Sequence, residues 1–192
     1  MDQLVLIVPI SSALVIYWAR IRELKTVRDT VKGEIRENLT LRLFIAVGSL
    51  MLVGSIAEQI WFRRPLSAPL LIAGWTLALC SFWLRRRAIR ALGKMWSLHV
   101  EIRAQHQLVM SGPYRWMRHP AYSSMVLELA SFSLLLQSIY SSILVALLFV
   151  PTLLLRIKIE ETALREQVAG YSEYQRCTPA LLPYKIPGPV QS

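Results

Sequence analysis

The chain contains 192 residues, of which 54% are hydrophobic and 18% charged, and its mean hydropathy is +0.42. This composition excludes an ordinary soluble domain. The formal charge is +10, and the basic residues cluster between long apolar runs. Nucleic-acid binding would require a soluble basic face, so this pattern instead indicates a small polytopic membrane protein with membrane lipids, and no nucleic acid, as partners. Cys80 and Cys177 supply neither a disulfide framework nor metal-ligand spacing.

Five segments are predicted to cross the membrane. The first, residues 4–18, lacks the basic leader and cleavage site of a signal peptide, so we interpret it as a retained helix. The second and third cover residues 41–62 and 66–84, each near the length that a span requires. The apolar run of residues 122–155 is too long for one helix and is interrupted at 137–141. It predicts two helices and a turn, which form a hairpin.

The distribution of Lys and Arg predicts the orientation. Six lie between residues 20 and 36, eight between 85 and 118, and five from 156 onward. The positive-inside rule places these groups on the cytoplasmic side and the N-terminus outside, which five spans satisfy. We therefore expect an all-α, multi-pass integral membrane protein with a single domain over residues 1–192, in which residues 1–84 form three spans and residues 85–192 carry the helix 4/5 hairpin.

The polar stretch that begins at Arg85 is longer than a connection between spans requires, and it runs on to His119, the last of the three histidines. We interpret the triple arginine at residues 85–87 as a topology anchor at anionic headgroups. Pro120 keeps His119 out of a regular helix and is suited to the first turn of the next one. His119 is therefore a cap or a ligand at a helix entrance.

Charged residues in and near the spans form a second group of candidate functional residues. Arg156 and Glu160 are four residues apart, on one face where the fifth span leaves the membrane. They are either a surface ion pair or part of a site with His119. For Glu128, inside the fourth span, we favour an interhelical hydrogen bond over a site. Glu58 is predicted to be the counter-charge of the arginines at 63–64.

The ordered motifs of the second half resemble those of the isoprenylcysteine carboxyl methyltransferase family, a family of membrane enzymes. The matching series is Leu92-Gly93-x-x-Trp96-Ser97, His106-x-Leu108-Val109, Gly112-x-Tyr114, Arg118-His119-Pro120-x-Tyr122, Arg156 with Glu160-Glu161, Gly170-Tyr171-x-x-Tyr174 and Leu182-Pro183. Relatives often have Gly two residues after the motif tyrosine, where this chain has Ser124, and this departure affects how closely backbones can pack.

The resemblance implies an enzyme that transfers a methyl group from S-adenosylmethionine to the carboxylate of an isoprenylcysteine-like lipophilic acceptor, leaving S-adenosylhomocysteine. It implies a cytoplasmic cofactor-binding region, whose residues would be His99, His106, Gln107, Leu108, Val109, Tyr114, His119, Pro120, Ala121, Tyr122 and Glu161. Arg156 and Glu160 match the acceptor-binding, catalytic pair, in which Glu160 would orient Arg156. Glu161 would contact either a cofactor amine or the sulfonium region.

Two other functions stay open at this point. Phospholipid N-methyltransferases, acting on phosphatidylethanolamine, share a comparable His-Pro-x-Tyr region and paired glutamates. Their amine acceptor must lose a proton, so Arg156 beside it would be unhelpful and favours a carboxylate acceptor. The other alternative is a non-enzymatic membrane scaffold whose basic loops only bind anionic lipid.

Overall fold

The computed structural model describes residues 2–25, 34–37, 39–97, 100–102 and 108–183, and this part of the chain is largely helical. Its helices are α1 (Asp2–Lys25), α2 (Leu39–Phe62), α3 (Ala68–Leu92), α4 (Pro120–Leu135), α5 (Ile139–Gln167) and α6 (Tyr171–Cys177). Short 3-10 turns cover Gly93–Met95 and Gly112–Arg115. The helical class is confirmed.

A small antiparallel pair of strands accompanies the helices and is not predicted from the sequence. β1 (Glu34–Glu37) pairs with β2 (Val100–Ile102), with Glu34 opposite Ile102. Segments of four and three residues are too short to show the two-residue alternation by which a strand is recognised in a sequence. The pairing therefore depends on contacts between distant parts of the chain.

Within the described ranges, four helices are long and apolar enough to cross a membrane. They are Leu4–Glu23, Leu39–Phe62, Ala68–Met95 and Ile139–Gln167. The predicted fourth span is the 16-residue helix α4, which at 1.5 Å per residue is about 24 Å long against a hydrocarbon core of about 30 Å. The multi-pass architecture is thus supported by four helices rather than by five of full length.

The break inside the long apolar run is confirmed. α4 ends at Leu135 and α5 begins at Ile139, with Gln137 between them in a left-handed backbone conformation. Glu58 accepts hydrogen bonds from the backbone N–H groups of Ile139 and Ser141, at 2.8 and 2.9 Å. A buried carboxylate from α2 therefore caps the N-terminus of α5. Glu58 also forms the predicted ion pair, with Arg64 at 2.9 Å.

The third helix continues past the predicted end of its span. α3 ends at Leu92, so the prediction that a loop begins at Arg85 is wrong. Arg, Ala and Leu are good helix formers, and long Arg side chains extend from a helix end towards water, so their charges did not end the helix. Arg85 is buried with its guanidinium over the ring of Trp96, 5.5 Å from the ring centroid.

The chain divides into two compact units. The first comprises Met1–Val27, Leu43–Ser81 and Met125–Pro151, and the second comprises Arg28–Arg42, Phe82–Ser124 and Thr152–Ser192. The single-domain prediction for residues 1–192 stays a prediction.

In the first unit a buried ionic cluster links α1, α3 and α4. Arg20 Nε donates to Glu128 Oε2 at 2.7 Å, and Arg20 Nη2 donates to Ser81 Oγ at 3.2 Å. Glu23 is a further partner of Arg20. The expected interhelical hydrogen bond of Glu128 is confirmed, and its partner is a charged residue of α1. Removing either partner of such a pair would leave an uncompensated charge in a low-dielectric interior.

Candidate functional site

The second unit carries the candidate site, which begins at the entrance of α4. His119 precedes the helix and Pro120 is its first residue, as the sequence predicts. The His119 carbonyl accepts from the backbone N–H groups of Tyr122 and Ser123, at 3.0 and 3.1 Å, so it starts the helical hydrogen-bond pattern. The His119 side chain is only 5% exposed. A buried imidazole is thereby fixed at the positive end of α4.

Arg156 and Glu160, on α5, are connected through a tyrosine of α4. Arg156 Nε donates to Tyr122 Oη at 2.9 Å, and Tyr122 Oη donates to Glu160 Oε2 at 2.5 Å. Arg156 Nη1 also donates to Thr40 Oγ1 of α2, at 2.7 Å. Arg156 is 3% exposed and Thr40 is 1% exposed. Two hydroxyl groups thus orient a buried guanidinium, and Glu160 acts on it by way of Tyr122.

His119 joins this chain of hydrogen bonds to Glu161. His119 Nε2 lies 2.9 Å from Glu161 Oε1, and Nδ1 lies 3.9 Å from Glu160 Oε2. The imidazole also stacks on the ring of Tyr122, with centroids 5.3 Å apart and planes 18° apart. Adjacent glutamates on α5 therefore face opposite nitrogens of one imidazole. The arrangement holds the ring in a single orientation.

Both carboxylate oxygens of Glu161 accept hydrogen bonds from the protein. Besides His119, Arg118 Nε donates to Oε1 at 2.8 Å and Gln175 Nε2 donates to Oε2 at 2.7 Å. These contacts give Glu161 a positioning role in the described structure. Its predicted contact with a cofactor amine or sulfonium stays a prediction.

The segment after α6 lies against the entrance of α4. The backbone N–H groups of Arg118 and His119 donate to the carbonyls of Pro179 and Ala180, each at 2.9 Å. Ser123 Oγ donates to the carbonyl of Leu181 at 2.6 Å. The residues around 179–181 therefore help to fix the backbone on which His119 sits.

Two tyrosines of α6 form an apolar cluster with Val168, Leu108 and Leu164. Tyr174 Oη donates to the carbonyl of Tyr114 at 2.6 Å. Tyr171 Oη is buried and has no hydrogen-bond partner among the described residues. Burial raises the pKa of Tyr171 and of Tyr174 well above the usual value of a phenol, so both hydroxyls stay neutral.

The structure brings together five of the predicted site residues, namely His119, Tyr122, Arg156, Glu160 and Glu161. Of the other predicted residues, Leu108 packs against the tyrosines of α6, and the Tyr114 carbonyl accepts from one of them. Val109 is half-buried. Pro120 is the first residue of α4, and the Ala121 carbonyl accepts from Ser124 Oγ at 2.6 Å. Ser124 is fully buried, so its hydroxymethyl group is accommodated at the position where the family resemblance leads one to expect Gly. The predicted His99, His106 and Gln107 lie outside the described residues.

Sequence reasoning missed three residues that hold the site, Thr40, Arg118 and Gln175. Arg118 stands next to His119 in the motif, and this adjacency was a usable signal. Thr40 and Gln175 are isolated polar residues whose partners lie 116 and 14 positions away, so no local pattern marks them.

Comparison with known proteins identifies a family and several relatives. Residues 72–166 match the model of the isoprenylcysteine carboxyl methyltransferase (ICMT) family. YpbQ of Bacillus subtilis, named an uncharacterized protein, is 31% identical over 127 residues, which cover 64% of this chain and 72% of YpbQ.

Two further relatives carry names from metal resistance. The cobalt-zinc-cadmium resistance protein CzcN of Cupriavidus metallidurans is 30% identical over 97 residues, covering 50% of this chain and 45% of CzcN. The nickel-cobalt-cadmium resistance protein NccN of Alcaligenes xylosoxydans xylosoxydans is 29% identical over 93 residues, covering 48% of this chain and 44% of NccN. The similarity thus spans less than half of each metal-resistance protein.

Proposed function

Because the chain belongs to the isoprenylcysteine carboxyl methyltransferase family, we propose that it is a membrane methyltransferase that uses S-adenosylmethionine to methylate a carboxylate on a lipophilic, isoprenylcysteine-like acceptor. The position and environment of Arg156 are the observation that favours a carboxylate as the methyl acceptor. Its guanidinium is buried and is oriented by Tyr122 and Thr40 at the end of the apolar part of α5. A guanidinium held in one orientation is suited to a planar anion.

The described residues fit the cofactor that the family implies. S-adenosylmethionine supplies a methyl group on a positively charged sulfur and becomes S-adenosylhomocysteine. Glu160 is a carboxylate whose side chain is 32% exposed, so it is accessible to a cationic group. Leu108 and Leu164, which are partly buried beside Tyr171, offer apolar surface for a flat heterocycle. Such a set of groups suits a molecule that has one polar, charged part and one aromatic part.

In this proposal, Arg156 binds the acceptor carboxylate through its guanidinium group. Tyr122 and Thr40 hold the guanidinium in place, and Glu160 fixes the Tyr122 hydroxyl. A carboxylate is already an anionic nucleophile, so no general base is required. Alignment of the reacting groups and removal of water supply most of the rate acceleration.

Exposed leucines next to Arg156 offer a surface for the lipophilic part of the acceptor. Leu154 and Leu155 precede it on α5 and are 58% and 49% exposed. We place them at the membrane boundary, with the site on the cytoplasmic side and the N-terminus outside, according to the distribution of positive charge. The acceptor tail would then stay in the bilayer while its carboxylate reaches Arg156.

The first experiment measures methyl transfer from labelled S-adenosylmethionine with the protein purified in detergent. The two acceptors are a farnesylated cysteine analogue and phosphatidylethanolamine, and the lipid-extractable product is then treated with alkali. We expect label in the farnesylated analogue that alkali releases as methanol, because a methyl ester hydrolyses. Alkali-stable label in the phospholipid would identify an N-methyltransferase instead. No label with either acceptor, together with no binding of S-adenosylhomocysteine, would favour a non-enzymatic scaffold.

A further inference from the structure

The hydroxyl group of Tyr171 is buried without a hydrogen-bond partner among the described residues. The residue is 3% exposed, like its neighbour Tyr174, but only Tyr174 has an acceptor, the Tyr114 carbonyl. A buried polar group without a partner is destabilising, so its retention calls for an explanation, and a bound ligand is one. Tyr171 is therefore a candidate contact for a ligand.

The surroundings of Tyr171 indicate the chemistry of that ligand. Leu108, Leu164 and Val168 pack around it, and its ring meets that of Tyr174 edge to face, with centroids 6.0 Å apart. An apolar, aromatic environment favours a flat, uncharged heterocycle over an ion, because an ion would lose its hydration there.

Tyr171 also lies in the electrostatic field of the candidate site. The charges of Glu161, Glu160 and Arg118 act on its phenol. Burial, reinforced by the two carboxylates, raises the pKa of Tyr171, which keeps the hydroxyl neutral and able to donate as well as accept. The adenine ring of S-adenosylmethionine presents ring nitrogens that accept and an amine that donates.

We propose that the hydroxyl of Tyr171 hydrogen-bonds the adenine ring of the cofactor, while Leu108 and Leu164 contact the apolar faces beside it. This inference rests on the proposed function and adds a cofactor-binding residue that the motif comparison did not assign. It explains why one of two similar tyrosines on α6 keeps a hydroxyl that no described residue binds.

The test compares Tyr171→Phe with Tyr174→Phe, since each variant removes one hydroxyl and keeps the ring. Thermal unfolding of the ligand-free protein in detergent is measured first. Tyr171→Phe is expected to unfold at the wild-type temperature or above, because it removes an unpaired buried hydroxyl. Tyr174→Phe is expected to unfold at a lower temperature, because it leaves the Tyr114 carbonyl without its donor.

Binding is then measured by calorimetry with S-adenosylhomocysteine, methylthioadenosine and methionine. Tyr171→Phe is expected to weaken the first two by about tenfold, the effect of losing one hydrogen bond to a ligand. Tyr174→Phe is expected to bind them as the wild type does. Methylthioadenosine is the informative probe, because it contains the adenine ring and no amino-acid group.

The other outcomes overturn the inference in distinguishable ways. If the wild type binds S-adenosylhomocysteine and Tyr171→Phe binds it equally well, the inference fails and the proposed function stands. If Tyr171→Phe weakens S-adenosylhomocysteine and leaves methylthioadenosine unchanged, the contact is not with adenine. If the ligand-free Tyr171→Phe protein is destabilised as much as Tyr174→Phe, its hydroxyl binds the protein itself. If the wild type binds none of the three, the inference and the proposed function fail together.

Discussion

Arg156 Nε and Tyr122 Oη are 2.9 Å apart, although the residues are 34 positions apart in the chain and belong to different helices. This hydrogen bond connects the motif at the start of α4 with the pair of glutamates on α5. Because Tyr122 also stacks on His119 and donates to Glu160, one phenol contacts both parts of the candidate site.

Arg156→Ala is expected to lower kcat/KM for a carboxylate acceptor by about a hundredfold or more, as expected when one partner of a buried charged contact is removed. Binding of S-adenosylhomocysteine should be unchanged, since Arg156 is assigned to the acceptor. Transfer kinetics and calorimetry measure the two effects. The matched control is Lys158→Ala, an exposed cation on the same helix, which should retain activity. Equal activity of the two variants would contradict the assignment of Arg156.

Tyr122→Phe should reduce kcat about tenfold while leaving cofactor affinity near the wild-type value. The ring still stacks on His119, but Arg156 and Glu160 lose the hydroxyl that connects them. Tyr122→Ala should weaken cofactor binding as well, because the stacking surface is lost. Kinetics together with the dissociation constant of S-adenosylhomocysteine separate these effects. Tyr140→Phe, at an exposed position, serves as the control, and a fully active Tyr122→Phe enzyme would argue against this role.

Glu161→Gln is expected to loosen the segment after α6. The amide cannot accept at both oxygen positions as the carboxylate does from Arg118, His119 and Gln175. Hydrogen exchange at the backbone N–H groups of Arg118 and His119 should accelerate about tenfold or more. Glu173→Gln, an exposed change on α6, should leave exchange unaltered. Unchanged protection in Glu161→Gln would show that the backbone contacts alone hold the segment.

Arg20→Met should destabilise the first unit by about 3–5 kcal/mol, because it leaves the Glu128 carboxylate buried without its main counter-charge. The double variant Arg20→Met with Glu128→Met should recover most of that loss, since no unpaired buried charge remains. Unfolding in detergent provides the measurement, with exposed Arg22→Met as the control. A double variant as unstable as Arg20→Met would show that the cluster does more than neutralise charge.

Local patterns are sufficient to predict the long apolar helices and the entrance to the site. Residues 4–18, 41–62 and 66–84 were recognised as apolar runs, and α4 and α5 were separated at the break near Gln137. Pro120 placed His119 outside a helix because proline restricts the residue before it. The prediction that the third helix ends before Arg85 is wrong, because arginine is itself a good helix former.

Helical periodicity depends only on positions three and four apart, so the sequence is enough to show which residues share a helix face. This periodicity was enough to place Arg156 and Glu160 on the same face of α5. By contrast, the position of Tyr122 between them, the contact of Thr40 with Arg156 and that of Gln175 with Glu161 are seen only in the folded chain. Those hydrogen bonds join separate elements, and their geometry depends on how the elements pack, which no local pattern encodes.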